Sequence, residues 1–287
     1  MDLRDLRTLL VVSETASFEA AAKRLNVTSS AVAQRISRLE RDAGQTLVVR
    51  SRGCELTETG RSIARLARNI SVLYDEAIAD MGLSADRQPI TVALNFASLA
   101  TWFIPVITEF SHHARTEIRC LCTDERHALD FVRSGSAQAA ISPEAKALPS
   151  CLAMELGKFV YVAVCMPGLA QQARSGQLPS IRFSPVDTTT DLFVHRLCHA
   201  PEAVPWHCIP SVKDMLAPAL TGVGWVVLPL QMVAEHLRAG ELVEVDPQFR
   251  FEMPLFFHTY FHKTKQLELL RQSVKSVYAK EAAKAAV

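Results

Sequence analysis

Thr28-Ser-Ser-Ala-Val-Ala-Gln-Arg-Ile-Ser-Arg-Leu-Glu-Arg-Asp-Ala43, followed by Gly44, is the stretch that decides how the N-terminal part of this chain folds. Val32, Ile36, Leu39 and Ala43 recur at steps of four, three and four, the spacing of one buried helix face. Thr28 is placed to cap the start of that helix and Gly44 to end it. At about 100° per residue, Ser30, Gln34, Ser37 and Arg41 fall opposite the apolar stripe, flanked by Ala33 and Arg38. That outer face offers donors and acceptors suited to base edges.

On the N-terminal side, Leu3, Leu6 and Leu10 mark an earlier helix, Thr15-Ala16-Ser17 interrupts it, and Phe18, Ala21, Ala22 and Leu25 mark a second. On the other side, Leu47 to Leu56 reads as two short strands about a turn, a wing whose Arg50 and Arg52 reach phosphates or the minor groove. From Lys23 to Arg52 seven basic residues stand against two acidic ones, a local net charge of +5. Three helices followed by a basic hairpin predict a winged helix-turn-helix, against the plainer reading of a solvated basic surface on a helical cap. Thr57 then caps a longer helix in which Ile63, Leu66, Ile70, Leu73 and Ala77 repeat at three, four, three and four, which predicts a dimerisation seam.

The runs Phe18-Glu-Ala-Ala-Ala-Lys-Arg-Leu25, Thr28 to Glu40, Leu47 to Arg50 and Leu56-Thr-Glu-Thr-Gly60 together resemble the N-terminal signature of LysR-type regulators. The resemblance implies that Ser29, Ser30, Ala33 and Gln34 read bases, with Thr28, Arg35, Arg38, Arg50 and Arg52 completing the DNA-binding set. Ser29 and Ala33 depart from the Gln and Ser common at those positions, which bears on base preference and not on docking. It further implies double-stranded promoter DNA and a small-molecule effector as partners, a homodimer formed through the linker helix and assembled into a homotetramer, and RNA polymerase as a possible further partner.

From Pro89 the texture changes to short apolar runs alternating with helical segments: Ile90 to Leu94, Leu99 to Phe110, Glu117 to Cys122, His127 to Ser134 and Ala137 to Ser142. A second set follows, through Phe159 to Met166, Ile181 to Phe183, helices near Asp191 to Cys198 and Lys213 to Leu220, and Trp225 to Leu228. This is the pattern of parallel strands with crossover helices, and its repetition predicts two lobes. Leu255 to Tyr260 is read as a strand returning to the first lobe and Lys265 to Lys280 as a closing helix. Ligands of such folds sit beyond the carboxyl ends of strands, against helix N-termini. Asn95, Ser98, Leu99, Thr101, Ser142, Asp187 and Thr188 are therefore the effector-binding candidates, each also readable as a plain helix cap or its neighbour.

Ser98-Leu-Ala-Thr-Trp102, Ala147-Leu-Pro-Ser-Cys-Leu152 and Gly240-Glu-Leu242 narrow the resemblance to the ArgP and LysG group. It implies sensing of a basic amino acid, lysine or arginine, and control of amino-acid export or metabolism genes. Ala97 stands where that group commonly has an acidic residue, which leaves two readings, that Asp187 compensates or that the ligand is a different one. The expected class is α/β with an all-α-type winged helix-turn-helix head, a linker helix and a two-lobed, periplasmic-binding-protein-like effector domain. The expected division is 1–58 for the DNA-binding head, 59–87 for the linker and 88–287 for the effector domain, with lobe I at about 88–162 and 261–287 and lobe II at about 163–260.

Across all 287 residues, 31 basic side chains nearly cancel 30 acidic ones, so only local clustering argues for nucleic acid. Seven cysteines, spread from Cys54 to Cys208 with no leader pattern before them, argue against a disulfide framework and for the cytoplasm. Gln88 to Thr108 and Met215 to Ala234 lack charges, but Pro and Gly interruptions and a change of period read as buried strand joined to helix, not as membrane spans. His195, Cys198, His199, His207 and Cys208 lack the tight ligand pairs of a metal frame, and Cys120 and Cys122 alternate on a strand, so no metal and no cofactor is expected. No phosphate loop, nucleophile elbow or zinc-protease helix occurs, and Gly222-Val-Gly224 precedes a strand instead of following one, so the expectation is a protein that is not an enzyme. A DNA-architectural or replication-initiation-inhibiting protein that binds broadly remains the alternative.

Overall fold

The computed structural model describes residues 1–49, 53–81, 89–114, 116–149, 151–261 and 264–285. Helices α1 (Leu3–Thr15), α2 (Phe18–Leu25) and α3 (Ser29–Ala43) pack around Leu6, Leu9, Val12, Ala21, Val32, Ile36 and Leu39, all buried. Each break has a local cause. Ser17 and Thr28 accept hydrogen bonds from the N–H groups of Ala20 and Ala31, capping α2 and α3, and Gly44 takes the left-handed conformation at φ +66° that stops α3. The hairpin strands β1 (Val48–Val49) and β2 (Glu55–Leu56) follow, paired antiparallel. The Glu40 carboxylate ties α3 to this hairpin by accepting from the Leu47 N–H at 2.9 Å.

Thr57 caps α4 (Glu58–Asp80), its hydroxyl accepting from the Gly60 N–H at 3.0 Å. Gly60 is required there, because an added Cβ would stand 2.1 Å from the Leu47 carbonyl oxygen. The first half of α4 closes the head. Ile63, Ala64 and Ala67 are buried in its core and Ile70 packs against it, whereas Leu66, Leu73 and Ala77 are exposed. This corrects the single seam expected from the sequence: Ile63 and Ile70 face the chain's own head. The stripe's two edges lie about 60° apart on the helix, enough for α1 to cover one and leave the other.

The remainder is organised on one nine-stranded sheet. Its elements are β3 (Ile90–Asn95), α5 (Phe96–Ser98) continuing through a wide turn into α6 (Ile104–His113), β4 (Ile118–Thr123), α7 (Ala128–Arg133), β5 (Ala139–Ser142), β6 (Cys151–Cys165), α8 (Ala170–Arg174), β7 (Ser180–Arg182), α9 (Thr188–Leu197), β8 (Trp206–Cys208), α10 (Leu216–Leu220), β9 (Trp225–Pro229), α11 (Leu230–Arg238), β10 (Val243–Glu244), β11 (Phe251–Tyr260) and α12 (Lys265–Ala285). The strand order is β4-β3-β5-β11-β6-β9-β7-β8, with β10 on β6. β3, β4 and β5 run parallel in one lobe, and β7, β8 and β9 run parallel in the other. The long antiparallel pair β6 and β11 crosses between the lobes, with a register shift where Leu255 and Phe256 meet Gly157 and Glu155.

The sequence places β6 at Phe159 to Met166, yet it begins at Cys151. Its first half opens on the short apolar run Cys151 to Met154, which Glu155, Gly157 and Lys158 then interrupt before the longer run begins. The sheet is accordingly mixed, not purely parallel. Trp102, Phe103, Phe110, Phe159, Phe257 and Tyr278 fill the main core beneath α6 and α12. Among the described residues no helix is long and apolar enough to cross a membrane.

Candidate nucleic-acid interface and ligand cavity

The solvent face of α3 carries Ser29, Ser30, Gln34, Ser37, Arg38 and Arg41, all exposed, with Ala33 half-buried. Ala33, Gln34, Ser37, Arg38 and Arg41 line a shallow groove there. Thr28 is engaged at the cap, where its hydroxyl also lies 2.9 Å from that of Ser30. Arg35 turns inward, Nη1 donating to the Thr8 hydroxyl at 3.2 Å, and Arg38 pairs with the buried Asp5 at 3.3 Å. These contacts orient the two guanidiniums along the α1–α3 junction. Arg50 and Arg52, expected in the wing, lie outside the described residues.

The carboxyl ends of β3 and β4 and those of β7 and β9 meet at one cavity of about 190 Å³ between the lobes. Asn95, Phe96, Thr123, Asp124 and Glu125 line it from one side, Phe183, Asp187, Thr188, Met215 and Leu228 from the other, and Tyr161 of the crossing strand β6 from the sheet. Phe96 and Phe183 meet across the cleft, ring centroids 4.8 Å apart and tilted 40°.

Of the expected effector residues, Asn95, Asp187 and Thr188 line this cavity. Asn95 caps the helix that follows it, its carbonyl oxygen accepting from the Ser98 N–H at 2.8 Å. Asp187 caps α9, accepting from the Thr190 N–H and hydroxyl and from the Phe183 N–H, all within 3.0 Å. Ser98, Leu99, Thr101 and Ser142 do not line it, and the expectation for them is corrected. The helix starts at Phe96, so Ser98 turns into the lobe and is fully buried, and Leu99 packs on the core. Thr101 donates back to the Ala97 carbonyl at 2.7 Å, and the buried Ser142 hydroxyl accepts from the Glu144 N–H at 3.2 Å.

The charge of the cavity is the main finding. Asp124, Glu125 and Asp187 line it, and among the described residues no Lys, Arg or His does. Asp124 is clamped by Arg126 from outside, accepting from its Nε at 3.0 Å and Nη2 at 3.1 Å, which holds its carboxyl below the ordinary range. Glu125 is shifted the other way: burial raises its carboxyl, Asp124's charge adds to this, and the hydrogen bond with Asn95 opposes it. Burial likewise raises the Tyr161 phenol, helped by the negative charges of Glu125 and Asp187, so Tyr161 stays a neutral hydroxyl.

Sequence reading passed over Thr123, Asp124 and Glu125. A signal was present, since an Asp-Glu pair one residue after the run Glu117 to Cys122 stands at the carboxyl end of an expected strand, as Asn95, Ser142 and Asp187 stand near others. All seven cysteines are free, and among the described residues no group of three His, Cys, Asp or Glu side chains could hold a metal ion.

Comparison with known proteins matches both halves of this architecture. Residues 3–61 match the family described as "Bacterial regulatory helix-turn-helix protein, lysR family", and residues 84–278 match "LysR substrate binding domain". A transcriptional regulator named LysG from Mycobacterium tuberculosis is 33% identical over 270 residues, spanning 91% of this chain and 88% of that protein. The "Lysine export transcriptional regulatory protein LysG" of Corynebacterium glutamicum is 30% identical over 276 residues, 94% of this chain and 95% of that one. Among solved structures, full-length LysG from Corynebacterium glutamicum with bound effector Arg superposes with a TM-score of 0.83 at 28% identity, covering 98% of this chain and 99% of that one. ArgP from Mycobacterium tuberculosis gives 0.85 at 31% identity, covering 97% and 98%. A capped recognition helix in a winged head, a linker helix and a two-lobed ligand-binding domain, matched in that order along the chain, identify this protein as a member of the LysR family of DNA-binding transcription regulators.

Proposed function

We propose that a basic amino acid, lysine or arginine, is the effector of this regulator, and that it acts by changing how a homodimer, paired into a homotetramer, holds promoter DNA. The observation that carries this is the cavity's charge: among the described residues three carboxylates and no cationic side chain line it. With Asp124 already paired to Arg126, a cation entering there meets the remaining carboxylates in a partly desolvated site, where charge pairing is worth more than in water. Glu125 makes good the acidic residue missing at position 97, a role the sequence had pointed to Asp187 for. The arginine held by the Corynebacterium glutamicum relative supports the same chemistry.

The division proposed is 1–58, 59–87 and 88–287, with Thr28, Ser29, Ser30, Ala33, Gln34, Arg35, Arg38, Arg50 and Arg52 on the DNA. Base edges are read from the exposed face of α3, and phosphates are held by the surrounding cations. The effector site is Asn95, Glu125, Asp187 and Thr188, and the target genes serve amino-acid export or metabolism. The protein works by binding, without catalysis, in the cytoplasm, with RNA polymerase as its further partner at the promoter.

The test measures affinity of the purified protein for its own upstream intergenic DNA against scrambled DNA at physiological salt, with L-lysine, L-arginine or L-leucine. Selective binding altered by the basic amino acids alone is expected, with Gln34→Ala relaxing base preference by about 1–3 kcal/mol at one position. Equal affinity for both DNAs would replace this reading with a broadly binding architectural protein.

A further inference from the structure

Helix α7 begins three residues after the rim of the ligand cavity and meets the linker helix at its other end. Its approach is the cavity rim Thr123-Asp124-Glu125, where the Asp124 carbonyl accepts from the His127 N–H at 3.0 Å and the Asp124 side chain accepts from the Arg126 N–H at 3.0 Å. These bonds close the turn that leads from the rim to His127, the N-cap residue of the helix. Six residues on, about 9 Å along the axis, the chain meets α4. Arg65 Nη1 donates to the Arg133 carbonyl at 3.2 Å. Gly135, at φ +78°, lies so close that a Cβ built on it would stand 3.1 Å from the Arg65 Cα. A backbone approach of that kind admits no other residue without displacing α4 or the turn.

Between its ends α7 is held along its length. Ala128, Leu129 and Val132 are buried against β3 and β5, the Tyr260 hydroxyl donates to the Val132 carbonyl at 3.0 Å, and the Ala137 N–H donates to the Phe131 carbonyl at 2.9 Å. The last carbonyls of a helix are its unsatisfied acceptors and its negative pole, so a guanidinium is a favoured partner there. The charge of Arg65 is also felt at Cys151 and Tyr260, where it opposes the rise that burial imposes on both groups, to about 11 and about 12. Arg65 thus sits over the end of the lobe.

We propose that α7 is the strut that couples the cavity to the DNA-reading head, with Arg65 and Gly135 as the positioning residues of the coupling contact. The idea rests on the cavity being the effector site. A cation drawn to Glu125 moves the rim, a short helix packed along its length moves as one body, and the far end carries α4 and the head with it. Arg65 lies on α4, off the outer face of α3 and outside the cavity lining, so its effect is on the coupling between the two sites.

The test uses full-length wild type, Arg65→Ala, Arg65→Lys and Gly135→Ala, with L-arginine as ligand and the upstream duplex as DNA. Calorimetry reads arginine affinity, and titration of labelled duplex reads DNA affinity with and without saturating arginine. In wild type, arginine is expected to shift DNA affinity by about 5-fold or more, within the usual range of allosteric coupling. Arg65→Ala and Gly135→Ala should bind arginine within about twofold of wild type while that shift collapses towards unity, and Arg65→Lys, which keeps a donor, should recover part of it. A full shift in Arg65→Ala overturns the strut and leaves the effector reading standing. Arginine binding that leaves wild-type DNA affinity unmoved also overturns it, and absence of binding to wild type removes both readings.

Discussion

Glu125 carries the charge of the cavity in a form that protonation removes. Its carboxyl is raised by burial first and by the neighbouring Asp124 charge second, so it takes up a proton at a higher pH when folded than when unfolded. Above the folded value the ionised group costs the empty protein stability. As pH falls through that value towards the unfolded value of about 4.3, protonation removes the cost. A bound cation needs the ionised form. Affinity for L-arginine is therefore expected to weaken as pH falls through the folded value of Glu125, while the empty protein gains stability over the same window. Calorimetry across about pH 7.5 to 4.5 reads the first effect, and Glu125→Gln should weaken binding about tenfold or more at neutral pH and flatten the profile. An affinity that ignores pH in wild type would remove Glu125 from recognition. The sequence showed Glu125 only as one charged residue among 61, and what singles it out is burial beside Asn95 and Tyr161, two partners distant in sequence.

At the scale of elements, α4 shows what periodicity does and does not carry. Steps of three and four name the residues that share a face, and all of Ile63, Leu66, Ile70, Leu73 and Ala77 do share one. They do not say which neighbour covers which edge. The head takes Ile63 and Ile70, and Leu66 and Leu73 remain 48% and 45% exposed, with Tyr74 beside them at 44%. Leu66→Asp together with Leu73→Asp is accordingly expected to give monomers by light scattering with the head still folded. Ile63→Asp should instead unfold the head, because it places a carboxylate in a core position at a cost of several kcal/mol. Unchanged mass in the double variant would remove the seam from dimerisation. The caps of α3 and α4 were legible in advance, since Thr28 and Thr57 act on N–H groups three residues ahead, within reach of local sequence, whereas Ser17 was read only as part of a break and caps α2.

For the whole molecule, ligand and fold are linked through the cleft. The cavity takes its lining from both lobes and from the strand between them, so a ligand that bridges them binds the folded state alone. At a free concentration of about 100 times Kd it adds about 2.7 kcal/mol to stability. L-arginine at that level should raise the Tm followed by circular dichroism, L-leucine should not, and Glu125→Gln should cut the gain to about half or less. The sequence by itself determined the winged head, the linker helix, the alternation of strands and helices and the family, because caps, apolar periods and a contiguous motif are set by residues within a few turns of one another. Only the tertiary structure decided which edge of α4 the head covers, that β6 starts at Cys151 against β11, and that Glu125 joins Asn95, Tyr161 and Asp187 in one negative cavity. Those outcomes depend on which distant surfaces meet, and burial and electric field exist only once they have met.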